Sequence, residues 1–415
     1  MKTESPTLQP TLHRTLGAFR LTLYGLGTIL GAGIYVLTGE VAGAAGMAAP
    51  IAFLVAAVIA GVTALSYAEL GSRIPRSAGE AAFVEQGLHS RFFAACSGWG
   101  VALMGILSAA AITNGFYGYL AELLPVTRIP TVTVTTLVLI IVAAWGVNTA
   151  VGAAVAVTVL EIGGLCLIIL LAGNHLSALP DRWPELVPAF EMSSLSGILI
   201  GAHIAFFAFI GFEDIVNMAE EVHNPRRNLP LAILLSIGIA TLLYILIAVI
   251  AVLAVPPDRL AESNAPFAVI LEDRGSSVHT IISIISMVAV INGGLIQIVM
   301  ASRLLYGMAN QKLAPKSLGS VHPRTRTPIR ATIAVGITVL IMALFLPLVS
   351  LAKLASTVTL TVFALVNLSL FVLRRREASS PPSDKKDHFI CPRWTPLIGF
   401  LLCTLFLALT FWLSY

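Results

Sequence analysis

Charge is what this sequence has least of. Only 11% of its 415 residues are Asp, Glu, Lys or Arg, while 57% are hydrophobic. Soluble domains carry about 25% charged residues, so the composition excludes a soluble fold and places the chain in a lipid bilayer. Cysteine is scarce too: Cys96, Cys166, Cys391 and Cys403 are scattered, most of them in apolar runs. They read as small buried apolar residues, so no disulfide framework, metal site or cofactor is expected. Catalytic patterns are also missing. No His-x-x-Glu-His or Gly-x-Ser-x-Gly occurs, and His203 is the one histidine well inside an apolar run; both points argue against a membrane enzyme. The opening stretch MKTESPTLQPTLHRTLGAFR is polar, so no cleavable signal is expected. The net charge of +4 needs no nucleic acid to explain it, because the basic residues follow membrane topology.

What is present is a series of long apolar runs. Eleven transmembrane helices are expected, at about 20–46, 48–71, 92–122, 130–147, 151–173, 195–220, 229–255, 277–309, 328–348, 351–373 and 394–415. At 18 to 33 residues, each is long enough for the ~20 that cross a bilayer core. Five of the 25 Lys and Arg residues, Arg128, Arg182, Arg259, Arg274 and Lys353, fall on one side. The other twenty fall on the side of the N-terminus, among them Arg73, Arg76, Arg226, Arg227, Lys312 and the run Arg374, Arg375, Arg376. The positive-inside rule then sets the N-terminus in the cytoplasm.

Two of these helices are written to break. The first contains YGLGTILGAGIYVLTGEVAGAAG, with Gly25, Gly27, Gly31, Gly33 and Gly39, each costing up to about 1 kcal/mol against Ala in a helix interior. The sixth contains Ile210-Gly211-Phe212, followed by Glu213 and Asp214; carboxylates inside a span cost about 2.5 kcal/mol or more each. The first and sixth helices open two five-helix halves. Five is odd, so the halves run in opposite senses, and paired interrupted helices in an inverted repeat point to a substrate site at the midplane. A break at Gly31-Ala32-Gly33 frees N–H groups at a half-helix N-terminus, which suits a carboxylate. A break near Gly211 frees carbonyl oxygens, which suit an ammonium group. Together they would hold a zwitterion. The competing reading is that the glycines serve close helix packing, since Gly27 and Gly31, and Gly39 and Gly43, have small-xxx-small spacing.

Four segments carry a resemblance: GAGIY in the first helix, SYAELGSRIPRSAGEAAFVEQGL after the second, FFAFIGFEDIVNMAEEVHNPRRNLP in the sixth and ASRLLYGMANQKLAP closing the eighth. Together they resemble the amino acid–polyamine–organocation (APC) family of permeases over helices 1 to 10. The resemblance implies an all-α integral membrane fold, the LeuT-type 5+5 inverted repeat. It divides the chain into a cytoplasmic tail at 1–19, repeats at 20–175 and 195–373, a cytoplasmic loop at 374–393 and an additional helix at 394–415. Carried over, it implies carboxylate donors at the N–H groups of Ala32, Gly33 and Ile34. It implies amine acceptors at the carbonyls of Ile29, Phe207 and Ile210, and an aromatic gate at Phe207. Relatives often place a hydroxyl where this chain has Ala32, which leaves main chain alone to hold the carboxylate.

In several proton-coupled relatives a lysine lies about fifteen residues after the glycine opening the fifth helix. Counted from Gly146, that position is Glu161. The charge is reversed, so the lysine's role does not transfer unchanged, but a protonatable acid at mid-membrane is a site for a coupling proton. The alternative is a structural Glu hydrogen-bonded to backbone. Sodium would need hydroxyls on the eighth helix, where Val288-Ala289 occupies the matching stretch. Asn114 and His203 are read as interhelical hydrogen-bonders, and Glu213 as bridging the break in its own helix. Glu220, Glu221, Arg226 and Arg227 either form a cytoplasmic gate with Arg73 or Arg76 or are solvated loop charges. The apolar residues near the breaks, Ile34, Phe207 and Phe212, lean the substrate towards neutral amino acids. The expected activity is proton-coupled amino acid uptake across the cytoplasmic membrane, its partners being substrate, proton and lipid. An exchanger and a transporter-like sensor are the alternatives.

Overall fold

The glycine-rich start of the chain folds as two short helices rather than one. In the computed structural model, which describes residues 14, 16–75, 79–145, 151–188, 191–378 and 388–413, α1 (Ala18–Ile29) stops and α2 (Ala32–Ala45) starts afresh two residues later. Leu30 closes the last turn of α1 by donating its N–H to the Leu26 carbonyl at 2.7 Å. The break is therefore at Leu30-Gly31. Ala32 and Gly33, expected within the interruption, are instead the first residues of the second half-helix. Gly46, at φ +58°, ends α2 with a turn that few other residues adopt.

Next come α3 (Ala49–Arg73), α4 (Gly79–Leu88), α5 (Arg91–Leu123), α6 (Arg128–Trp145), α7 (Val151–Ala172) and α8 (Leu179–Leu186). The sixth crossing opens as α9 (Met192–Phe206), tightens into a 3-10 turn at Phe207–Phe209, and resumes as 3-10 turns over Phe212–Glu221. Then follow α10 (Pro225–Ala254), α11 (Pro257–Glu262), α12 (Pro266–Ile270), α13 (Ser276–Asn310), α14 (Ile329–Phe345), α15 (Leu348–Ala378) and α16 (Thr395–Leu413).

Nine described helical stretches are long and apolar enough to cross a membrane, and α14 is a shorter apolar helix beside them. One stretch, Ala32–Arg73, has 42 residues, or about 63 Å of helix, twice the ~30 Å of a bilayer core. It is two crossings, α2 and α3, turned at Gly46. Counting α1 with α2, and α14, the described residues hold eleven candidate crossings, the number the apolar runs predict. The helices α4, α8, α11 and α12 have no counterpart among the predicted spans. Arg76 and Gly146, used in the sequence argument, lie outside the described residues.

Small residues let the broken helices approach their neighbours. A Cβ on Gly33 would overlap the backbone of Ala208 in the sixth crossing, and one on Gly27 would overlap the Thr158 side chain of α7. Gly39 is pressed against the Leu260 carbonyl of α11. Packing thus accounts for most of the glycine pattern. Gly31 is the exception: the nearest atom to its added Cβ is the Gly293 Cα, 3.9 Å away.

Candidate substrate site

The two breaks face one another across a small cavity between α1, α2, α5, the sixth crossing and α13. Ile29, Gly31, Ala32, Gly33, Phe207 and Ile210 line it, so six of the eight predicted binding positions converge. At about 20 Å³ it has room for a water or two, and an amino acid would need the breaks to separate. Gly31 carries no capping side chain, so the first N–H groups of α2 are the uncapped donors of a helix start. These are the groups of Ala32, Gly33 and Ile34.

The remaining two positions do not line the cavity. Ile34 is fully buried in the first turn of α2, and it contributes no apolar wall. Gly211 sits at φ +128° with its backbone occupied on both sides. Its N–H donates to Glu213 Oε2 at 2.9 Å, and its carbonyl accepts from Thr28 Oγ1 at 2.9 Å. Glu213 thus bridges the break in its own crossing, as predicted. Phe212 is also removed from the cavity wall: its ring packs against Tyr67 and Phe363, with centroids at 5.4 and 5.2 Å.

The carbonyls read as amine acceptors are partly taken. The Tyr244 hydroxyl lies 2.7 Å from the Ile29 carbonyl and 3.0 Å from that of Ala208, so its single proton serves one break or the other. The Phe207 carbonyl accepts from the Ile210 N–H at 3.2 Å. Each carbonyl has a second lone pair, so acceptance of an ammonium remains open to both.

Sequence reasoning missed Ser108 and Ile112 of α5 and Ile296 and Gln297 of α13, all of which line the cavity with Gly293. Ser108 Oγ is buried with no hydrogen-bond partner among the described residues. The usable signal was a hydroxyl at four-residue spacing from Ile112, and an amide one helical turn past Gly293-Gly294.

Glu161 stands midway along α7, fully buried. Its Oε1 accepts from Asn292 Nδ2 of α13 at 3.2 Å, while Oε2 has no hydrogen-bond partner among the described residues. Oε2 lies 3.6 Å from the position of a Cβ on Gly27, so the carboxyl sits between α7, α13 and the end of α1. Asn114 and His203 are interhelical hydrogen-bonders. Asn114 Nδ2 donates to the Ala343 carbonyl at 3.1 Å, and His203 Nε2 lies 3.0 Å from that of Lys353. The expected gate through Arg73 is not formed: Arg73 pairs with Glu69 and, at 2.6 Å, with Glu377. What meets Glu221 is backbone. Leu16 donates its N–H to the Glu221 carbonyl at 3.0 Å, and its own carbonyl accepts from His223 N–H at 2.8 Å.

An all-helical bundle with two interrupted crossings, their backbone turned towards a common buried cavity, has the architecture of a membrane transporter. The chain matches the amino acid permease family model over residues 16–414, and it belongs to that family, within the APC superfamily and its LeuT-type fold. It is a transmembrane transporter of amino acids and not an enzyme. It is 32% identical to the branched-chain amino acid permease BcaP of Bacillus subtilis, over 97% of this chain and 89% of that one. It is 32% identical to human cationic amino acid transporter 4, over 92% of this chain but only 63% of the relative. With the methylthioribose transporter of Bacillus subtilis it shares 29% identity over 88% of this chain and 82% of that one.

Proposed function

We propose that the protein takes up neutral amino acids across the cytoplasmic membrane by alternating access, coupled to protons, with its N-terminus inside. The observation that carries this reading is the uncharged cavity between the breaks. Uncapped N–H groups of α2 offer a carboxylate site, and carbonyls at Ile29, Phe207 and Ile210 offer an ammonium site. The side-chain walls are Phe207, Ile112, Ile296, Ser108, Gln297 and Thr28, and no Asp or Glu is among the described residues that line the cavity. A cationic side chain would enter such a wall without a counter-charge, at a high desolvation cost. The wall therefore favours substrates like those of the branched-chain relative over those of the cationic one. Phe207, on the cavity wall, is the proposed cover over the substrate, and attraction of an ammonium to its ring is worth about 0.5–2 kcal/mol. The two repeats run over 20–175 and 195–373, each opening on a broken crossing.

Glu161 is the proposed proton site. Its unpartnered oxygen faces α1 beside the break, where uptake of a proton and closure on substrate can favour each other. Uptake of a radiolabelled amino acid panel into proteoliposomes, with and without an inward proton gradient, tests the whole reading. Accumulation of leucine, isoleucine or valine that collapses with the gradient is expected. Uptake that needs a preloaded amino acid, and ignores the gradient, makes the protein an exchanger. Binding without uptake makes it a sensor.

A further inference from the structure

A second, larger cavity lies away from the paired breaks, where α5 and α14 end and α6 and α15 begin. It is an open recess of about 280 Å³, and Arg128, Asn114 and the exposed Asn264 form its polar side while Leu346, Leu348 and Phe345, itself 80% exposed, form its apolar side. We propose that this cavity is a second ligand site, which takes a small carboxylate with an apolar tail and seats the carboxylate on the Arg128 guanidinium.

The guanidinium is held in place without being neutralised. Nε donates to Asn114 Oδ1 at 2.9 Å, and Nη2 donates to the carbonyls of Ala343 at 2.8 Å and Leu346 at 3.3 Å. All three acceptors are neutral, so they fix the plane of the fork and leave its charge. Nη1 makes no hydrogen bond among the described residues. The contrast with other arginines at this end of the bundle is direct: Arg182 pairs with Glu185 at 2.8 Å, and Arg259 pairs with Glu272. Arg128 has no carboxylate within ion-pair distance among the described residues. An oriented, half-buried guanidinium beside a cavity is a ready partner for a carboxylate, which it meets through parallel N–H bonds. The opposite wall is aliphatic and aromatic, which suits a branched hydrocarbon tail. No Asp or Glu is among the described residues that line the cavity, and the nearby carbonyls of Ala343 and Leu346 already accept from Arg128, so the site fits a monoanion better than a zwitterion.

The site is separate from the one between the breaks. On α5, Ser108 and Ile112 face the central cavity. Asn114 comes two residues after Ile112, about 200° further round the helix, and faces the other way. Asn264 lies between α11 and α12, and the Leu260 carbonyl of α11 abuts Gly39 of α2. A carboxylate held between Arg128 and Asn264 therefore ties the segment that covers α2 to α5, α6 and α14. This consequence, though not the site itself, rests on the transport reading: an occupied site should lower the maximal uptake rate and leave the substrate KM unchanged.

The test uses the full chain in nanodiscs of phosphatidylcholine and 4-methylpentanoate as the probe, which has the carboxylate and branched tail but no amine. Isothermal titration should detect binding to the wild type at concentrations up to about 10 mM. Affinity should fall about tenfold or more in Arg128→Gln and in Leu348→Trp, and stay within about twofold in Gly31→Val, which obstructs the central cavity. If Arg128→Gln does not fold, Leu348→Trp decides, because it fills the cavity and touches none of the guanidinium's bonds. No binding to the wild type, equal binding to wild type and Leu348→Trp, or loss of binding in Gly31→Val overturns the proposal. So does retention of phosphatidylglycerol by the wild type but not by Arg128→Gln in native mass spectra, with no probe binding, since that gives the cavity to a lipid headgroup. Probe binding in a protein that transports no amino acid supports this site and defeats only the transport reading.

Discussion

The two breaks are built oppositely. At the first, Gly31 has open space around it, its neighbour across the cavity is another glycine, and the helix start has no cap. At the second, Gly211 is wedged against Thr28 and Ile29, and both its backbone groups are occupied by side chains. One break is kept empty and the other is filled in. On the proposed reading a ligand uses the first directly, whereas the second acts as a hinge whose conformation the protein itself holds. The difference also explains why one crossing resumes as an α-helix, with its N–H groups aimed at the cavity, while the other resumes as 3-10 turns.

The largest expected effects come from placing a methyl at each break. Gly211→Ala forces a Cβ onto φ +128° and into the Thr28 carbonyl. Backbone strain alone costs about 1–3 kcal/mol, so the melting temperature in detergent should fall by many degrees, and binding with it. Gly31→Ala meets no atom within 3.9 Å, so melting should be nearly unchanged while substrate affinity drops at least about tenfold. Equal losses of stability in the two variants would erase the distinction. Gly33→Leu belongs with the first kind, because it overlaps Ala208 rather than blocking the carboxylate.

Glu161→Gln sharpens the comparison next, because Glu161 borders the open break only. Gln keeps the shape and the bond to Asn292 but cannot take up or release a proton in the physiological pH range. Counterflow of labelled substrate should persist, and gradient-driven accumulation should disappear. Intact accumulation in this variant would remove Glu161 as the proton site and leave it a structural residue.

Much of this was legible in the sequence. Apolar runs and the bias of Lys and Arg gave the crossings, and Gly31 and Gly211 marked both interruptions. What was not legible is which neighbour each residue meets. A helix buried on most sides shows no strong polar stripe, so beyond the four-residue spacing of Ser108 and Ile112 little in α5 told that Ser108 faces the cavity and Asn114 does not. The purpose of Gly33 depends on Ala208, 175 residues away in the chain. The short helices α4, α8, α11 and α12 are too small for a hydropathy pattern to reveal. Ile34 and Phe212 looked like pocket walls because they adjoin the breaks in sequence. Adjacent residues on a helix point about 100° apart, and both turn into the packing.

A pH effect is expected at the filled break. Glu80 of α4 lies close enough for its charge to reach Glu213 and Asp214, and the Tyr67 hydroxyl is 3.4 Å from its Oε1. Burial pushes the Glu80 carboxyl up to about 7, against about 4.3 in an unfolded chain. Between these values the folded protein holds the proton more tightly than the unfolded one. Stability from this group is therefore full below pH ~4 and is lost as pH rises towards 7. Glu80→Gln should flatten the fall in melting temperature over that window. A slope that is the same in wild type and variant would show that Glu80 is not its source.

The smallest expected effect is the most selective. Thr28 ends the open break's first helix and donates from Oγ1 to the Gly211 carbonyl at 2.9 Å, or to its own Gly25 carbonyl at 2.9 Å. It is the one side-chain hydrogen bond that runs directly from the first break to the second among the described residues. Thr28→Val keeps the shape and removes the hydroxyl. The Gly211 carbonyl retains the Asp214 N–H at 3.1 Å, so it is not left bare. The loss should be about 0.5–1.5 kcal/mol, a shift of a degree or two in melting temperature. The α2 N–H groups are untouched, so substrate affinity should stay within about twofold. The sign of any larger effect is informative. If Thr28→Val abolishes binding while melting is unchanged, the two breaks do not act as one open site and one fixed hinge. They are then a single coupled element, and Gly211 must reposition whenever Gly31 receives its ligand.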